Sequence, residues 1–128
     1  MRVLIIDDDE ISRELLSSTL KLGGHEVFEL PNAIGATRVI FGHDIDAVVV
    51  DVDLPDLSGD KLARVLRNNS RGPHLGIVLV SSLPLDELTR LALVAKADGV
   101  LSKSNIRAGL QPAIARACQL RARPARPG

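Results

Sequence analysis

The sequence predicts an α/β fold, a doubly wound (βα)5 three-layer sandwich in which a five-stranded parallel sheet lies between helices. Short apolar runs alternate along the chain with segments whose apolar residues recur at helical spacing. Two of the runs, DAVVV (46–50) and LGIVLV (75–80), are almost continuously apolar, which is typical of strands covered on both faces. Strands that alternate with helices pair in parallel, because each helix carries the chain back across a face of the sheet.

Five strands and five helices follow from this pattern. The first strand, RVLII (2–6), runs into acids, and the helix over 11–22 ends at Gly23-Gly24. Pro112 lies inside the last helix, so we expect a kink or a late start there. The remaining strands are predicted at 25–30, 46–50, 75–80 and 99–101, and the remaining helices at 33–42, from 61 to about 68–70, at 86–97 and up to about 120.

The composition indicates one globular domain with an aliphatic core. The chain has 128 residues, of which 45% are apolar and 25% charged, and it contains two Phe but no Tyr or Trp. Its single cysteine, Cys118, excludes a disulfide framework, and no Cys/His cluster indicates a zinc site. The opening residues, MRVLIIDDDE, hold too short an apolar run for a signal peptide or a membrane span. We therefore expect a soluble, cytoplasmic protein without membrane contact.

The charges are unevenly distributed although the net charge is zero. Residues 1–103 hold eleven basic and all sixteen acidic residues, a net charge of −5, whereas residues 104–128 carry five Arg and no acid. We assign residues 1–120 to the domain and 121–128 to a basic tail rich in Pro and Arg. Such a tail is a solubilising end, the start of a linker, or a binding arm for nucleic acid or an acidic partner. Because the tail supplies charge but no helix or strand that could contact bases in a nucleic-acid groove, we expect no direct nucleic-acid binding by this domain.

Polar side chains follow four of the predicted strands. An acid run, 7–9, follows the first strand, and Asp51 follows the third. Ser81 follows the fourth strand, and Lys103 comes shortly after the fifth. In open parallel sheets the functional residues gather beyond the carboxyl ends of the strands. We therefore expect three carboxylates, one or two hydroxyl groups and one ammonium group at one edge of the sheet.

This set of groups suits phosphoryl transfer. Crowded carboxylates repel one another, and a divalent cation such as Mg²⁺ relieves that repulsion. A carboxylate can attack phosphorus to form an acyl phosphate, with a cation near the phosphoryl oxygens. On this hypothesis Asp51 is the nucleophile and Ser81 hydrogen-bonds a phosphoryl oxygen. Asp7 and Asp8 hold the metal, and Lys103 supplies the cation.

Each of these residues also has a simpler structural interpretation. An Asp after a strand often caps the next helix, and either Asp8 or Asp9 could cap the helix that begins near Ile11. Ser81 alone fits a turn, and Lys103 alone fits a solvated charge. The functional interpretation depends on all of these residues meeting at one edge of one sheet.

Four segments resemble the receiver domain of two-component response regulators. LIIDDDE (4–10) resembles the acid pair with which that family opens, and AVVVDVDLPDLSG (47–59) resembles its phosphorylation loop. IVLVSS (77–82) resembles the strand that ends in Thr or Ser, and ADGVLSK (97–103) resembles the strand that delivers the Lys. The segments occur in the family's order, and the resemblance covers residues 2–120.

The resemblance implies a flavodoxin-like fold with strand order 2-1-3-4-5 and a role for each residue at the strand ends. Asp51 would be the phosphoacceptor, Ser81 the switch hydroxyl and Lys103 the phosphate-binding cation. The groups that would hold Mg²⁺ or Mn²⁺ are the side chains of Asp7, Asp8 and Asp51 and the main-chain carbonyl of Asp53.

The resemblance also implies partners. A histidine kinase or phosphotransfer protein would donate the phosphoryl group and dock on the first helix around Ile11 and Leu15. The face formed by helix four, strand five and helix five would contact a downstream protein or form a homodimer. The chain's own chemistry would be limited to Mg²⁺-dependent phosphorylation and dephosphorylation of Asp51, so it would not be an enzyme that acts on other molecules.

Three positions depart from the family's pattern. Ser104 replaces the Pro that usually follows the Lys, so the loop can differ in shape and rigidity. Val100 replaces the aromatic residue of the fifth strand, and both Phe residues lie elsewhere, so the usual rotation of an aromatic ring cannot occur. Asp53 adds a second acid beside the phosphorylation site. Its side chain is either directed to solvent or changes the lifetime of a phosphoryl group.

Two other classes of function fit parts of the sequence. DVDLP (51–55) resembles the nucleophile motif of haloacid dehalogenase-like phosphatases, but those enzymes need metal-binding acids after the Lys, and residues 104–128 contain none. The second alternative is a protein-binding module with a receiver fold that signals without phosphorylation. Val100 and Ser104 favour this alternative, whereas the intact set of Asp, Ser and Lys residues argues against it.

Overall fold

A computed structural model of the chain describes residues 1–69 and 72–121. Within these ranges the predicted alternation of strands and helices is confirmed. The strands are β1 (Arg2–Ile6), β2 (Glu26–Leu30), β3 (Ala47–Asp51), β4 (Gly76–Ser81) and β5 (Gly99–Ser102). The α-helices are α1 (Glu10–Leu22), α2 (Ala36–Gly42), α3 (Gly59–Arg67), α4 (Leu85–Ala95) and α5 (Ile106–Arg121), and single 3-10 turns cover Gly72–His74 and Lys103–Asn105.

The sheet has the order β2-β1-β3-β4-β5, and all neighbouring strands are parallel, as predicted. β1 and β3 are neighbours in the sheet, with Ile6 opposite Val50, so their carboxyl ends lie side by side. β4 lies on the other side of β3, where Val80 pairs with Asp51. The strand order reverses between β1 and β3, and in doubly wound sheets such a reversal opens a crevice at the carboxyl ends.

The core consists of two layers, one on each face of the sheet. All five residues of β3 are buried, as expected for a central strand covered on both sides. Successive strand residues face opposite sides, so Leu4 and Ile6 pack with α2, α3 and α4, whereas Val3 and Ile5 pack with α1 and α5. The largest fully buried side chains are all Leu or Ile, which confirms the predicted aliphatic core.

One helix begins later than its apolar spacing indicates. α2 begins at Ala36 rather than near residue 33. Asn32 forms a turn in which its Oδ1 accepts a hydrogen bond from the N–H of Ile34 at 2.9 Å, and Gly35 follows with a left-handed φ of 81°. An Asn side chain that bonds the main chain two residues on competes with the helix, so the first turn is lost.

The last helix begins without delay. α5 runs from Ile106 past Pro112, so the alternative of a late start is wrong. The helix forgoes one main-chain hydrogen bond at Pro112. It includes Arg121, which the sequence pattern assigns to the basic tail; residues 122–128 of that tail lie outside the described residues. Among the described helices, none combines the length and the apolar character needed to cross a membrane.

A buried ionic network lies at the amino ends of β4 and β5. Asp98, just before β5, accepts at Oδ2 from Arg67 Nη2 and from the N–H of Ile77, both at 2.9 Å. Its Oδ1 accepts from Arg121 Nε at 2.7 Å. Arg67 also donates to main-chain carbonyl oxygens, including that of Leu75 at 2.6 Å. The network connects the ends of α3 and α5 to the sheet, at the edge opposite to the predicted site.

Candidate functional site

The carboxyl ends of four strands bring together the polar side chains predicted from the sequence. Asp7 follows the last residue of β1, and Asp51 is the last residue of β3. Ser81 is the last residue of β4, and Lys103 follows the last residue of β5. One carboxylate oxygen from each of Asp7, Asp8 and Asp51 lies within 4.8 Å of the others. We refer to Asp7, Asp8 and Asp51 as the three-acid group.

Asp51 is held by hydrogen bonds at both carboxylate oxygens. Oδ2 accepts from Lys103 Nζ at 2.9 Å, and Oδ1 accepts from the N–H of Asp53 at 3.0 Å. The Asp51 side chain is only 1% exposed. A buried carboxylate needs such partners, because an unpaired buried charge carries a large desolvation penalty. The two bonds also fix the orientation of the carboxylate.

Gly59, the first residue of α3, lets the chain pass close to Asp51. A Cβ atom added at Gly59 would overlap the main-chain oxygen of Asp51 and would lie 2.9 Å from Val50 Cγ1. The N–H of Gly59 donates to the main-chain oxygen of Val52 at 2.9 Å, so the start of α3 is tied to the end of β3. Glycine is the residue that permits so close an approach of two main chains.

Asp7 is buried, and its hydrogen bonds offset only part of the cost of removing its carboxylate from water. Its side chain is fully buried, Oδ1 accepts from the N–H of Asp9 at 2.9 Å, and Oδ2 lies 3.7 Å from Lys103 Nζ without a hydrogen-bond partner. Burial raises the pKa of Asp7, and the charge of Asp51 raises it further, whereas the neighbouring Ser12 side chain and the hydrogen bond from the Asp9 N–H oppose the rise without cancelling it. Asp7 is therefore an acid whose ionised form is disfavoured in the folded protein.

The three-acid group fits a divalent cation that is bound through oxygen. Hard cations such as Mg²⁺ take carboxylate oxygens as ligands. The group holds three carboxylates, and Lys103, the one ammonium group paired with it among the described residues, contacts only Asp7 and Asp51. The buried Oδ2 of Asp7 has no hydrogen-bond partner that a metal would displace. The side chain of Asp53 is exposed, and its carboxylate is not part of the group.

Lys103 pairs with two of the acids. Burial lowers the pKa of Lys103, but the hydrogen bond to Asp51 and the charges of Asp51, Asp7 and Asp9 together raise the pKa above its ordinary value. The ammonium group therefore stays charged throughout the neutral pH range. A permanent cation at this point offsets part of the negative charge of the three-acid group.

Asp9, rather than Asp8, caps α1. Asp9 Oδ1 accepts from the N–H of Ile11 at 3.2 Å and so satisfies one of the free N–H groups at the start of the helix. The side chain of Asp8 is exposed and belongs to the three-acid group. The capping interpretation is thus correct for Asp9 and leaves Asp8 for the site.

Ser81 and the loop around Lys103 each contain a local hydrogen bond. Ser81 Oγ accepts from the N–H of Leu83 at 3.0 Å, which leaves the hydroxyl proton free to be donated. Ser102 Oγ accepts from the N–H of Ser104 at 3.3 Å and lies 2.8 Å from Ser104 Oγ. A proline at position 104 would lack that N–H. Ser104 therefore braces the loop through hydrogen bonds in place of a rigid ring.

Arg13 contacts the site although no pattern in the sequence indicates it. Its Nη1 donates to the main-chain oxygen of Asp7 at 2.8 Å, and its Nε lies 3.5 Å from Glu29 Oε1. Several polar residues of α1 have similar spacing, so the sequence does not distinguish Arg13 from them. The close approach of Gly59 was also not predicted, although Gly59 belongs to the phosphorylation-loop pattern.

Asp7→Asn should stabilise the metal-free protein at neutral pH. A group whose pKa is raised on folding contributes stability below its unfolded pKa, and that contribution is lost as the pH rises through the folded pKa. Asn removes the buried charge and keeps an acceptor for the Asp9 N–H. We expect a gain of about a few degrees in Tm, which shrinks as the pH falls towards 3.8, the ordinary value for an Asp.

Thermal unfolding in a chelating buffer, followed by circular dichroism across this pH range, measures the effect of Asp7→Asn. Glu14→Gln is the control, because it removes an exposed acid from α1. An Asp7→Asn protein that is less stable than the wild type at neutral pH would show that burial does not penalise this carboxylate.

Comparison with known sequences gives a family and several relatives. The pattern of the response regulator receiver domain matches residues 3–115. The response regulator protein FleR of Pseudomonas aeruginosa is 37% identical over 81 residues, which cover 63% of this chain and 17% of FleR. A cyclic di-GMP phosphodiesterase of Thermotoga maritima is 32% identical over 103 residues, which cover 80% of this chain and 27% of that protein. The chain thus spans a minor part of the length of these curated relatives.

Two solved structures share the fold over almost their whole length. A sensor protein from Polaromonas sp. JS666 has a TM-score of 0.86 and 30% identity, covering 94% of this chain and 98% of that chain. The response regulator TrrA from Thermotoga maritima, solved in complex with Mg²⁺-BeF, has a TM-score of 0.78 and 25% identity, covering 91% and 97%. With the family's pattern extending from β1 into α5, the chain belongs to the receiver domains of two-component response regulators.

Proposed function

We propose that the protein accepts a phosphoryl group on Asp51 and changes its protein contacts as a result. The proposal is carried by the 2.9 Å ion pair between Lys103 Nζ and Asp51 Oδ2, next to Asp7 and Asp8. It supports phosphoryl transfer because that reaction needs a nucleophile, a cation for the phosphoryl oxygens and metal-binding acids in one place. The donor would be a phosphohistidine on a histidine kinase or a phosphotransfer protein.

In the proposed reaction a carboxylate oxygen of Asp51 attacks the phosphorus atom of the phosphohistidine. An O–P bond forms as the P–N bond breaks, and the imidazole leaves with the electron pair and takes up a proton. The Asp53 N–H, which donates to Asp51 Oδ1, keeps the carboxylate oriented. Lys103 stabilises the negative charge on the phosphoryl oxygens.

Asp7, Asp8 and Asp51 would hold Mg²⁺ or Mn²⁺, with the main-chain carbonyl of Asp53 as a further ligand. The bound ion would supply positive charge beside the phosphoryl oxygens. The exposed side chain of Asp53 lies outside the three-acid group, which supports the interpretation that it is directed to solvent. An effect of Asp53 on the lifetime of the phosphoryl group stays a prediction.

The response to phosphorylation would begin at the end of β4. If the Ser81 hydroxyl donates its proton to a phosphoryl oxygen, its bond with the Leu83 N–H must adjust. Leu83 and Val100 both pack against the core layer formed with α2, α3 and α4. Because Val100 cannot act as a rotating ring, movement of the segment after β4 would carry the change to the α4-β5-α5 face. That face would contact a downstream protein or a second copy of the chain.

Helix α1 is the proposed docking surface for the phosphoryl donor. Ile11 is 80% exposed and Leu15 is partly exposed, and both lie on the helix that follows the acid run. Exposed apolar side chains beside a reactive site offer a contact for a partner. The kinase and the downstream partner are proposals at the level of protein class, because the chain spans only part of its curated relatives.

The comparison of the wild type with Asp51→Asn tests the proposed function. Incubation of the wild type with Mg²⁺ and acetyl phosphate should add the mass of one phosphoryl group in intact-mass spectrometry, and Asp51→Asn should add none. Mg²⁺ with beryllofluoride should stabilise the wild type by about 2–3 kcal/mol at a hundredfold excess over Kd. Thermal unfolding should show no such gain for Asp51→Asn.

Asp56→Asn is the matched control for Asp51→Asn. Asp56 is an exposed acid in the same loop, and its Oδ1 accepts from the N–H of Leu57 at 3.1 Å, a bond that Asn preserves. The control should behave as the wild type does. A wild type that gains neither mass nor thermal stability contradicts the phosphoacceptor proposal.

A protein-binding module that works without phosphorylation is the second candidate. It is favoured by Val100 and Ser104, which depart from the family at two positions of the β5 strand and loop. In that case the Asp51→Asn protein would bind its partner as the wild type does, and neither protein would respond to beryllofluoride.

A further inference from the structure

The guanidinium group of Arg13 reaches back from α1 to the end of β1. Its Nη1 donates to the main-chain oxygen of Asp7 at 2.8 Å. The N–H of Arg13 donates to the main-chain oxygen of Asp9 at 2.9 Å, in the first turn of the helix. The Arg13 side chain is 21% exposed, so its bond to Asp7 is largely shielded from water. Arg13 thus links the first turn of α1 to the residue at which β1 ends.

A fourth acid, outside the three-acid group, holds the Arg13 side chain. Glu29 of β2 has Oε1 at 3.5 Å from Arg13 Nε. Its other oxygen, Oε2, accepts from Ser17 Oγ at 3.2 Å, and Ser17 is 4% exposed. Glu29 is therefore braced by α1 on one oxygen and faces Arg13 with the other. A guanidinium group held in this way loses less conformational entropy when it forms its hydrogen bond.

The main chain of Asp7 is better supported than its side chain. Its N–H donates to the main-chain oxygen of Leu30 at 3.1 Å, and its carbonyl accepts from Arg13. The Asp7 side chain has the N–H of Asp9 on Oδ1 and no hydrogen-bond partner on Oδ2. The direction of the carboxylate therefore depends on where the main chain is held. Outer contacts of this kind change metal affinity by about 10–100-fold in proteins.

From these contacts we propose that Arg13, braced by Glu29, is a positioning residue for the divalent-cation site. By fixing the carbonyl group of Asp7 it sets the direction of the Asp7 carboxylate and thereby the affinity for Mg²⁺. The proposal rests on the proposed function, since it takes Asp7 as a metal ligand. Arg13 acts through the main chain, because its hydrogen bond goes to the Asp7 carbonyl and not to the carboxylate.

Arg13 can affect Mg²⁺ affinity in two ways, through its positive charge and through its hydrogen bond to the Asp7 carbonyl. A cation near the three-acid group repels Mg²⁺, so its removal would tighten Mg²⁺ binding if charge alone acted. Removal of the hydrogen bond to the Asp7 carbonyl would weaken Mg²⁺ binding. The two effects have opposite signs, and the sign of the change in Kd identifies the one that dominates.

The experiment measures Mg²⁺ binding to the full chain by isothermal titration calorimetry, because the chain has no Trp or Tyr for intrinsic fluorescence. Arg13→Gln should raise the Kd for Mg²⁺ by about 10-fold. Arg13→Lys keeps the positive charge and one hydrogen-bond donor, but it cannot contact the Asp7 carbonyl and Glu29 at the same time. Its Kd for Mg²⁺ should therefore lie between the values for the wild type and Arg13→Gln. Arg38→Gln is the matched control, an exposed Arg on α2, and should leave the Kd within about twofold of the wild type.

Stability and affinity are measured on the same samples. A purely structural role of Arg13 would lower the Tm without changing the Kd of the folded protein. If Arg13→Gln fails to fold, Arg13→Lys carries the test. A wild type that binds Mg²⁺, with Arg13 variants that bind it as tightly or more tightly, overturns the positioning role and leaves the proposed function intact. A wild type that does not bind Mg²⁺ contradicts both.

Discussion

Asp98→Ala should destabilise the protein by about 3–5 kcal/mol. The Asp98 carboxylate accepts from Arg67 Nη2 and the N–H of Ile77 at 2.9 Å and from Arg121 Nε at 2.7 Å. Its side chain is 3% exposed and that of Arg67 is 6% exposed, so water cannot take the place of the lost carboxylate. The substitution leaves the guanidinium group of Arg67 buried without its counterion, which is among the most destabilising changes a buried pair permits.

Urea unfolding followed by far-ultraviolet circular dichroism measures the free energy of unfolding. Glu14→Ala removes an exposed acid from α1 and should stay within about 0.5 kcal/mol of the wild type. The double change Arg67→Met with Asp98→Leu should cost less than the sum of its two single changes, because it removes both members of the buried pair, and Arg121, which also loses its partner, is 29% exposed to water. An Asp98→Ala protein that loses less than about 1 kcal/mol would contradict the importance assigned to this network.

The position of the Asp98 network indicates that Asp98→Ala should affect stability rather than metal binding. Asp98 precedes β5 and contacts Ile77 near the amino end of β4, whereas the three-acid group lies at the carboxyl ends of β1 and β3. The two clusters therefore lie at opposite edges of the same sheet. We expect Asp98→Ala to lower the stability and to leave the Mg²⁺ affinity of the folded protein unchanged.

Gly59→Ala should lower the stability and also abolish the response to beryllofluoride. The added Cβ would overlap the main-chain oxygen of Asp51 and come within 2.9 Å of Val50 Cγ1. Both residues belong to β3, all of whose residues are buried, so the strand cannot yield without disturbing its neighbours. Overpacking of this kind costs about 1–3 kcal/mol. Since the displacement falls on Asp51, the thermal stabilisation by Mg²⁺ and beryllofluoride should be lost as well.

Gly42→Ala is the matched control for Gly59→Ala. Gly42 ends α2, and an added Cβ there would have no atom within 4 Å. The change should be neutral or stabilising by up to about 1 kcal/mol, because Ala has the higher helix propensity. A Gly59→Ala protein that matches the wild type in both stability and response would refute the need for a close approach at this position.

The central strands could be predicted because their almost purely aliphatic composition is also the reason why they are buried. The runs at 46–50 and 75–80 contain little besides Val, Ile, Leu and Ala, and such segments are stable in water only where helices cover both faces. The structure places strands there with shifts of one residue, at Ala47–Asp51 and Gly76–Ser81. The strand order came from the resemblance of the motifs to a family, since periodicity alone does not distinguish neighbouring strands.

The edge at which the site lies was predictable for a different reason. Parallel strands present their carboxyl ends at one edge, so residues that follow strands must meet there whatever the side-chain packing. This geometry brings Asp7, Asp51, Ser81 and Lys103 together although up to 96 positions separate them. The direction of each side chain within the edge did not follow from the sequence. Only the structure assigns the cap of α1 to Asp9 and pairs Lys103 more closely with Asp51 than with Asp7.

The sequence by itself therefore determined the alternation of strands and helices, the aliphatic core and the edge that gathers the acids, because these follow from apolar periodicity and from the direction of the strands. The tertiary structure decided the contact of Arg13 with the Asp7 carbonyl, the approach of Gly59 to Asp51 and the buried pair of Arg67 and Asp98. Each of these depends on the distance between elements after they have packed. No local pattern encodes that distance, because an exposed and a buried Arg have the same sequence signature.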